Sequence, residues 1–217
     1  MTSATDPHAD LPVVTAGAAL TDATVAVIAI HGRGASPLDI LMLESRLAHR
    51  DVAWLAPTAA GRRWYPHRFI AEIAANEPDL GSALRRIETL VDEILEAGIP
   101  HDRIVFLGFS QGACLSSEFV ARQPRRWGGL VMLSGGLIGP PGTTWTTPGS
   151  LAGTPVFIGC SDVDAHIPLA RVEESAQVLT RLGGDVTLRI YPGMAHTVNA
   201  DELDHARSVL DRARVRQ

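Results

Sequence analysis

Short, continuous runs of apolar residues recur along the chain, beginning with residues 24–30, which lead into Gly32. Such runs are typical of strands that are buried on both faces of a sheet. We predict strands at residues 24–30, 52–56, 103–107, 129–133, 155–158 and 186–190.

Helical periodicity appears between these runs and is clearest from Pro78 to Ala97. Apolar residues recur there at three- and four-residue spacing, and Gly98 and Pro100 follow as stop signals. The apolar positions are Leu80, Leu84, Ile87, Val91 and Ile94. Strands that alternate with helices indicate an α/β fold, with a mostly parallel central sheet and helices on both faces.

The length of 217 residues fits one domain, residues 1–217, in which residues 1–10 are expected to form a loose tail. This length leaves no room for a separate cap domain. No apolar stretch is long enough to cross a bilayer, and the N-terminus lacks the basic start of a signal peptide. We therefore expect a cytoplasmic protein without stable membrane association.

The charged residues exclude several classes of function. The 19 basic residues are all Arg, so a Schiff-base lysine, a Ser-Lys dyad and a lysine-bearing phosphate loop are ruled out. The formal net charge of −5 gives no footprint for nucleic acid, and none is expected as a partner. Cys114 and Cys160 lack the spacing of redox or zinc sites and are predicted to be reduced core residues.

A nucleophile motif follows the predicted strand at residues 103–107. Gly108-Phe-Ser110-Gln-Gly112 matches G-x-S-x-G, and a helical pattern begins directly after it. This strand–turn–helix context is that of the nucleophile elbow of α/β-hydrolases. The glycines are needed because side chains two positions either side of the strained Ser110 would collide. Ser110 is therefore the predicted nucleophile.

A serine nucleophile needs a histidine base and an orienting carboxylate, which follow it in the order acid, then histidine, in this fold. His196 is the single histidine of the loop after the strand at 186–190. Asp162 and Asp164 both follow the strand at 155–158, so position alone leaves the acid open. With His166 they could also suggest a metal site, but no clear fourth ligand accompanies them, and no metal is expected.

The developing oxyanion needs backbone donors near Ser110. The segment Ile30-His31-Gly32-Arg33-Gly34 follows the first predicted strand, and its glycines allow a close approach. We assign the oxyanion hole to the amides of Arg33 and Gln111. His31 is interpreted as a loop-shaping residue, and surface positions are expected for His8, His49, His67, His101 and His205.

Four ordered motifs together resemble the phospholipase/carboxylesterase family of small α/β-hydrolases, which includes the acyl-protein thioesterases. They are His-Gly-Arg-Gly at 31–34, Gly-Phe-Ser-Gln-Gly at 108–112, Asp-Ala-His-Ile-Pro at 164–168 and Tyr-Pro-Gly-Met-Ala-His at 191–196. The family's acid lies four residues before a proline, so the resemblance selects Asp164. It further implies hydrolysis of carboxylic esters or thioesters through an acyl-serine, without a cofactor.

Two irregular segments are candidates for the substrate pocket. Residues 59–76 lie near the site in this fold, and Trp64, Tyr65, Arg68 and Phe69 are predicted to bind substrate, although a folded aromatic plug over the core is equally compatible. In the long loop at 135–153, the part at 135–141 would line an acyl pocket, with Leu137 and Ile138 as its apolar residues.

The sequence therefore predicts a serine carboxylesterase that acts on small esters through Ser110, His196 and Asp164. An acyl thioesterase acting on proteins or carriers is the alternative, an amidase or peptidase would use the same triad, and a non-catalytic binding protein on the hydrolase fold is a further alternative. A small-molecule ester is the expected partner, and a homodimer is left open.

Overall fold

One sheet of seven strands forms the centre of the computed structural model, which describes residues 6–47 and 49–215. The strands lie in the order β1-β3-β2-β4-β5-β6-β7, and all neighbours are parallel except β1 and β3. Their bounds are β1 Val13–Gly17, β2 Val25–Ile30, β3 Val52–Pro57, β4 Ile104–Phe109, β5 Gly129–Leu133, β6 Pro155–Ser161 and β7 Asp185–Tyr191. The six strands predicted from apolar runs are confirmed as β2 to β7.

Strand β1 was missed because it has no continuous apolar run. It pairs antiparallel with β3 at the edge of the sheet, with Val13 opposite Pro57. All five of its residues are half-buried or exposed. An edge strand of this kind gives a weaker sequence signal than a strand buried on both faces.

Helices cover both faces of the sheet, as predicted. They are α1 Pro37–Leu41, α2 Glu44–Leu47, α3 Asp79–Glu96, α4 Gln111–Arg122, α5 Leu169–Arg181 and α6 Ala200–Arg214. Helix α3 confirms the helix predicted at 78–97, and the predicted apolar positions are buried except Leu84, which is half-buried.

Two hydrophobic clusters fill the space between the sheet and its helices. On β2, Ala26, Ile28 and Ile30 point to one face, where they join buried residues of α3, α4 and α5. Val25, Val27 and Ala29 point to the other face, where they join residues of α1, α2 and α6. The strict alternation explains why β2 is apolar at every position.

The prediction of a loose tail over residues 1–10 is wrong for residues 6–10, and residues 1–5 lie outside the described residues. His8, expected at the surface, is fully buried. Its backbone N–H donates to Ser82 Oγ, its Nδ1 accepts from the Ala60 N–H at 3.0 Å, and its Nε2 lies 3.1 Å from the Trp64 carbonyl oxygen. Asp6 binds Ser82 Oγ and Arg85. These contacts anchor the segment because they satisfy polar groups that would otherwise be buried without partners.

The other four histidines expected at the surface retain some exposure. His67 is exposed, and His49, His101 and His205 are half-buried.

The loops that carry the motifs meet at one edge of the sheet. Because β2, β4, β6 and β7 are parallel, the segments that follow them emerge at their shared carboxyl ends. This edge is the usual place for ligands in open α/β sheets.

Candidate active site

Ser110 occupies the sharp turn between β4 and α4. Its φ of 55° and ψ of −120° are unusual for a residue with a side chain, and such strain is concentrated at functional sites. A Cβ on Gly108 would overlap the backbone of Gly112, and a Cβ on Gly112 would overlap the carbonyl oxygen of Ile30. Both motif glycines are therefore required by close backbone contacts.

The loop after β2 packs against this turn. A Cβ placed on Gly32 would lie 3.4 Å from the Ser110 Cβ, so the two backbones are in near contact. Within residues 6–47 and 49–215, neither the Arg33 N–H nor the Gln111 N–H donates to another protein group. Both amides are therefore available to a ligand beside Ser110.

His196 and Asp164 form the shortest polar contact at this edge of the sheet. The His196 Nδ1 lies 2.6 Å from the Asp164 Oδ2. The Asp164 side chain is fully buried, whereas that of His196 is 22% exposed. Since a carboxylate only accepts, Nδ1 carries the proton, and the Nε2 lone pair of His196 is free to take a proton.

Hydrogen bonds keep Asp164 ionised despite its burial. Burial alone would raise its pKa, but the hydrogen bonds from His196 and from the backbone N–H groups of His166 and Ile167 outweigh this effect. The two N–H groups donate to Oδ1 at 2.8 and 3.1 Å. The pKa of Asp164 therefore lies below its ordinary value, as an orienting carboxylate requires.

Asp162, the other candidate acid, has a different contact. It is exposed, and its Oδ1 accepts from the Gly193 N–H at 2.8 Å. This bond ties the loop after β6 to the loop after β7. Of the two aspartates left open by position, the structure brings Asp164 to the histidine.

A cavity of about 520 Å³ opens in front of Ser110 and His196. This volume is within the range of small-molecule sites. Seven residues predicted for the site line it: Arg33, Tyr65, Arg68, Phe69, Ser110, Gln111 and His196. Gly32, Ala35, Pro66, His67, Phe109, Cys114, His166 and Ile167 also line it and were not predicted as site residues.

Phe109 and His166 are the most informative of these additional residues. The centroid of each ring lies 4.9 Å from that of His196. Phe109 comes from the turn that carries Ser110, and His166 comes from the loop that carries Asp164. His166 sits between the acid and the proline of its motif, a position that could have marked it.

Three predicted substrate-binding residues lie in the core and not in the cavity wall. Trp64, Leu137 and Ile138 are fully buried, so their assignment to the substrate pocket is wrong. The Trp64 Nε1 donates to the His31 carbonyl oxygen at 2.8 Å, which turns the indole inward. The Leu137 N–H donates to Ser175 Oγ. Thus Trp64 acts as the folded plug, while Tyr65, Arg68 and Phe69 face the cavity.

The loop at 64–69 is held by the side chains of Gln111 and Arg33. The Gln111 side chain accepts from the Trp64 N–H and donates to the Tyr65 carbonyl oxygen, both at 2.9 Å. The Arg33 guanidinium donates to the carbonyl oxygens of Tyr65 at 2.7 Å and His67 at 2.9 Å. Sequence reasoning used only the amides of Gln111 and Arg33, and spacing gives no signal for these long-range bonds.

His31 shapes the loop, as predicted. It is buried, its Nδ1 lies 2.8 Å from the Gly32 carbonyl oxygen, and its Nε2 accepts from the Ala59 N–H. Burial lowers its pKa, so the ring is neutral. It is absent from the described wall of the cavity around Ser110.

Cys114 lines the cavity but is not a rival nucleophile. It is a free, buried cysteine, as is Cys160. Burial raises the pKa of Cys114 to about 12, so the side chain remains a thiol near neutral pH. Burial likewise raises the pKa of the neighbouring Tyr65 well above its ordinary value.

Two features are absent from residues 6–47 and 49–215. No group of three or more His, Cys, Asp or Glu side chains is arranged there to hold a metal ion. No helix there is both long and apolar enough to cross a membrane.

A family model and a solved structure that match this chain are both described as phospholipase/carboxylesterase. The family model described as Phospholipase/Carboxylesterase matches residues 11–213. The crystal structure of a phospholipase/carboxylesterase from Dyadobacter fermentans is 38% identical, with a TM-score of 0.90, and the match covers 93% of this chain and 97% of that one.

Curated relatives include fungal proteins named acyl-protein thioesterase 1. The protein from Eremothecium gossypii is 31% identical over 67% of this chain and 60% of its own length. The protein from Candida albicans is 28% identical over 84% of this chain and 89% of its own length. This chain spans about 60% of the length of the first fungal relatives it matches.

Proposed function

Because the chain belongs to the phospholipase/carboxylesterase family, we propose that it is a serine hydrolase that cleaves small carboxylic esters through an acyl-serine at Ser110. The observation that carries the proposal is the 2.6 Å contact between His196 and Asp164, beside a cavity that His196 shares with Ser110. Esterase PE8, a related structure, is 25% identical with a TM-score of 0.78.

In the acylation step, Ser110 Oγ attacks the ester carbonyl carbon while His196 Nε2 takes the hydroxyl proton. The Asp164 carboxylate stabilises the imidazolium that forms. The negative charge on the carbonyl oxygen is bound by the amides of Arg33 and Gln111, the second of which lies at the N-terminus of α4. The tetrahedral intermediate then collapses, and His196 gives its proton to the leaving alcohol.

In the deacylation step, water attacks the acyl-serine. His196 again takes a proton, now from the water, and returns it to Ser110 Oγ as the acid product leaves. Apart from the substrate and water, every group in this mechanism is a side chain or an amide of the chain, so the proposed reaction needs no cofactor.

Hydrolysis of 4-nitrophenyl butyrate by the wild type beside Ser110→Ala tests the proposal. We expect kcat to fall by about four to six orders of magnitude in the variant. Ser134→Ala is a matched control, because Ser134 follows the neighbouring strand with a positive φ of 51° and is buried away from the cavity wall. It should keep wild-type activity, and activity that survives Ser110→Ala would overturn the assignment.

The thioesterase alternative rests on the names of the fungal relatives. The same triad would cleave a thioester, because a thiolate leaves with less help from a general acid. Matched oxoesters and thioesters with one acyl group separate the two activities by their kcat/KM ratio. A serine-reactive phosphonate that fails to label Ser110 would favour the non-catalytic binding protein instead.

A further inference from the structure

The ionisable side chains in the wall of the cavity in front of Ser110 include two arginines and three histidines but no carboxylate among the described residues. Besides His196, the wall contains Arg33, His67, Arg68 and His166, and none of the described residues that line it is Asp or Glu. The whole chain carries a formal net charge of −5, so this cluster does not reflect a generally basic surface. A one-signed wall in a concave site attracts ligands of the opposite charge.

Arg68 has a guanidinium that is free to bind a ligand. It is exposed, and within the described ranges its side chain makes neither a hydrogen bond nor an ion pair. Its backbone, in contrast, is fixed. The buried Asn76 donates from Nδ2 to the Arg68 carbonyl oxygen at 3.2 Å and accepts from the His67 N–H at 2.8 Å.

Arg33 adds a charge that pairs with no Asp or Glu side chain within residues 6–47 and 49–215. Its guanidinium donates to the carbonyl oxygens of Tyr65 and His67, which are neutral partners. The Asp164 carboxylate, which holds His196, does not line the cavity and is occupied by His196 and by two backbone N–H groups. The positive charge on the wall is therefore left for a ligand.

We propose that the preferred substrate is an ester that carries a second, ionised carboxylate, which Arg68 binds at the rim of the cavity. The proposal rests on the proposed ester hydrolysis at Ser110 and adds the class of substrate. A guanidinium fork matches a carboxylate through two parallel hydrogen bonds, and the unneutralised Arg33 strengthens the attraction. The carboxylate belongs either to the acyl group or to the alcohol.

Two matched pairs of esters test the proposal. For the acyl side, mono-4-nitrophenyl adipate is compared with its methyl ester, and for the alcohol side, 4-acetoxybenzoate is compared with methyl 4-acetoxybenzoate. The readout is the ratio of kcat/KM for the anionic ester to that for the neutral ester, after correction for spontaneous hydrolysis. We expect a wild-type ratio of about 10 or more in one pair, which also identifies the side that carries the carboxylate.

Variants of Arg68 assign the preference to its guanidinium. Arg68→Gln should lower the ratio by about 10-fold or more, to near one, and Arg68→Lys, which keeps the charge without the fork, should give an intermediate ratio. Arg63→Gln is the matched control, because Arg63 is an exposed arginine of the same loop that does not line the cavity. Arg63→Gln should leave kcat/KM unchanged for both the anionic and the neutral ester.

The failure of this inference is distinguishable from the failure of the proposed function. Hydrolysis that depends on Ser110 but shows ratios near one in both pairs, or a ratio that Arg68→Gln does not change, would overturn only the carboxylate preference. Hydrolysis of 4-nitrophenyl butyrate that survives Ser110→Ala, or no hydrolysis of that ester or of the four others, would overturn both.

Discussion

Glu202→Gln should stabilise the protein at alkaline pH, because it removes a carboxyl group that the fold buries at the start of α6. Glu202 is fully buried. Its Oε2 accepts from the Asn199 N–H at 2.8 Å, while its Oε1 has no hydrogen-bond partner within the described residues. Gln can replace Glu in this capping arrangement with Asn199. The substitution therefore removes the charge and keeps the shape.

The magnitude follows from the pKa of Glu202, which burial raises from 4.5 to about 7. Below pH 4.5 the carboxyl is protonated in both the native and the unfolded chain. As the pH rises from about 4.5 to 7, the unfolded chain loses this proton first, so the free energy of unfolding falls. At about 1.4 kcal/mol per pH unit, the loss reaches about 3 kcal/mol above pH 7.

Urea unfolding followed by tryptophan fluorescence at pH 5 and pH 8 measures this effect. Glu202→Gln should differ little from the wild type at pH 5 and be more stable by up to about 3 kcal/mol at pH 8. For a chain of this size, that corresponds to a rise in Tm of roughly 6 to 12 °C. Comparing the variant with the wild type at each pH cancels the contributions of all other titrating groups.

Asp204→Asn serves as the control, because Asp204 is an exposed carboxylate of the same helix whose contact is an ion pair with Arg207. Its effect should remain within about 0.5 kcal/mol at both pH values. A stability difference for Glu202→Gln that is equal at pH 5 and pH 8, or larger at pH 5, would refute the argument that burial holds this carboxyl protonated.

Three further substitutions test other contacts. Asp164→Asn should lower kcat in the ester assay by about 10⁴-fold, because it removes the carboxylate that contacts His196. Asp162→Asn should change kcat by less than about threefold, because an Asn at position 162 still accepts the hydrogen bond from the Gly193 N–H. The reverse result would reassign the acid. Gly112→Ala should lower kcat/KM by about 100-fold or more, because its Cβ overlaps the Ile30 carbonyl oxygen, and unaltered turnover would contradict the close contact at the elbow. His8→Gln should destabilise the chain by about 1 to 3 kcal/mol at pH 8 and by less at pH 5. Burial lowers the pKa of His8, so the wild type itself loses stability as the pH falls below about 6.5, and a urea-unfolding loss independent of pH would contradict this linkage.

The sequence alone determined the architecture and the order of the four motifs. Strands β2 to β6 are buried at nearly every position, and β7 alternates exposed and half-buried residues, so their composition follows from the sheet. The parallel order of the strands then places the motif loops at one edge. The two glycines of the elbow could also be predicted from the sequence motif, because Gly108 and Gly112 contact backbone atoms and leave no space for a side chain. These features depend on local sequence and on rules that all such sheets obey.

Only the tertiary structure decided which side chains of the loops face the cavity. Trp64 turns inward and Tyr65 faces the cavity because the loop path is held by bonds from Gln111, Arg33 and His8, which are remote in sequence. Position in the sequence left Asp162 and Asp164 open and the family resemblance selected Asp164, but the contact of Asp164 with His196 depends on how two loops meet. In irregular segments no periodicity links a residue's position to the direction of its side chain, so long-range hydrogen bonds set that direction.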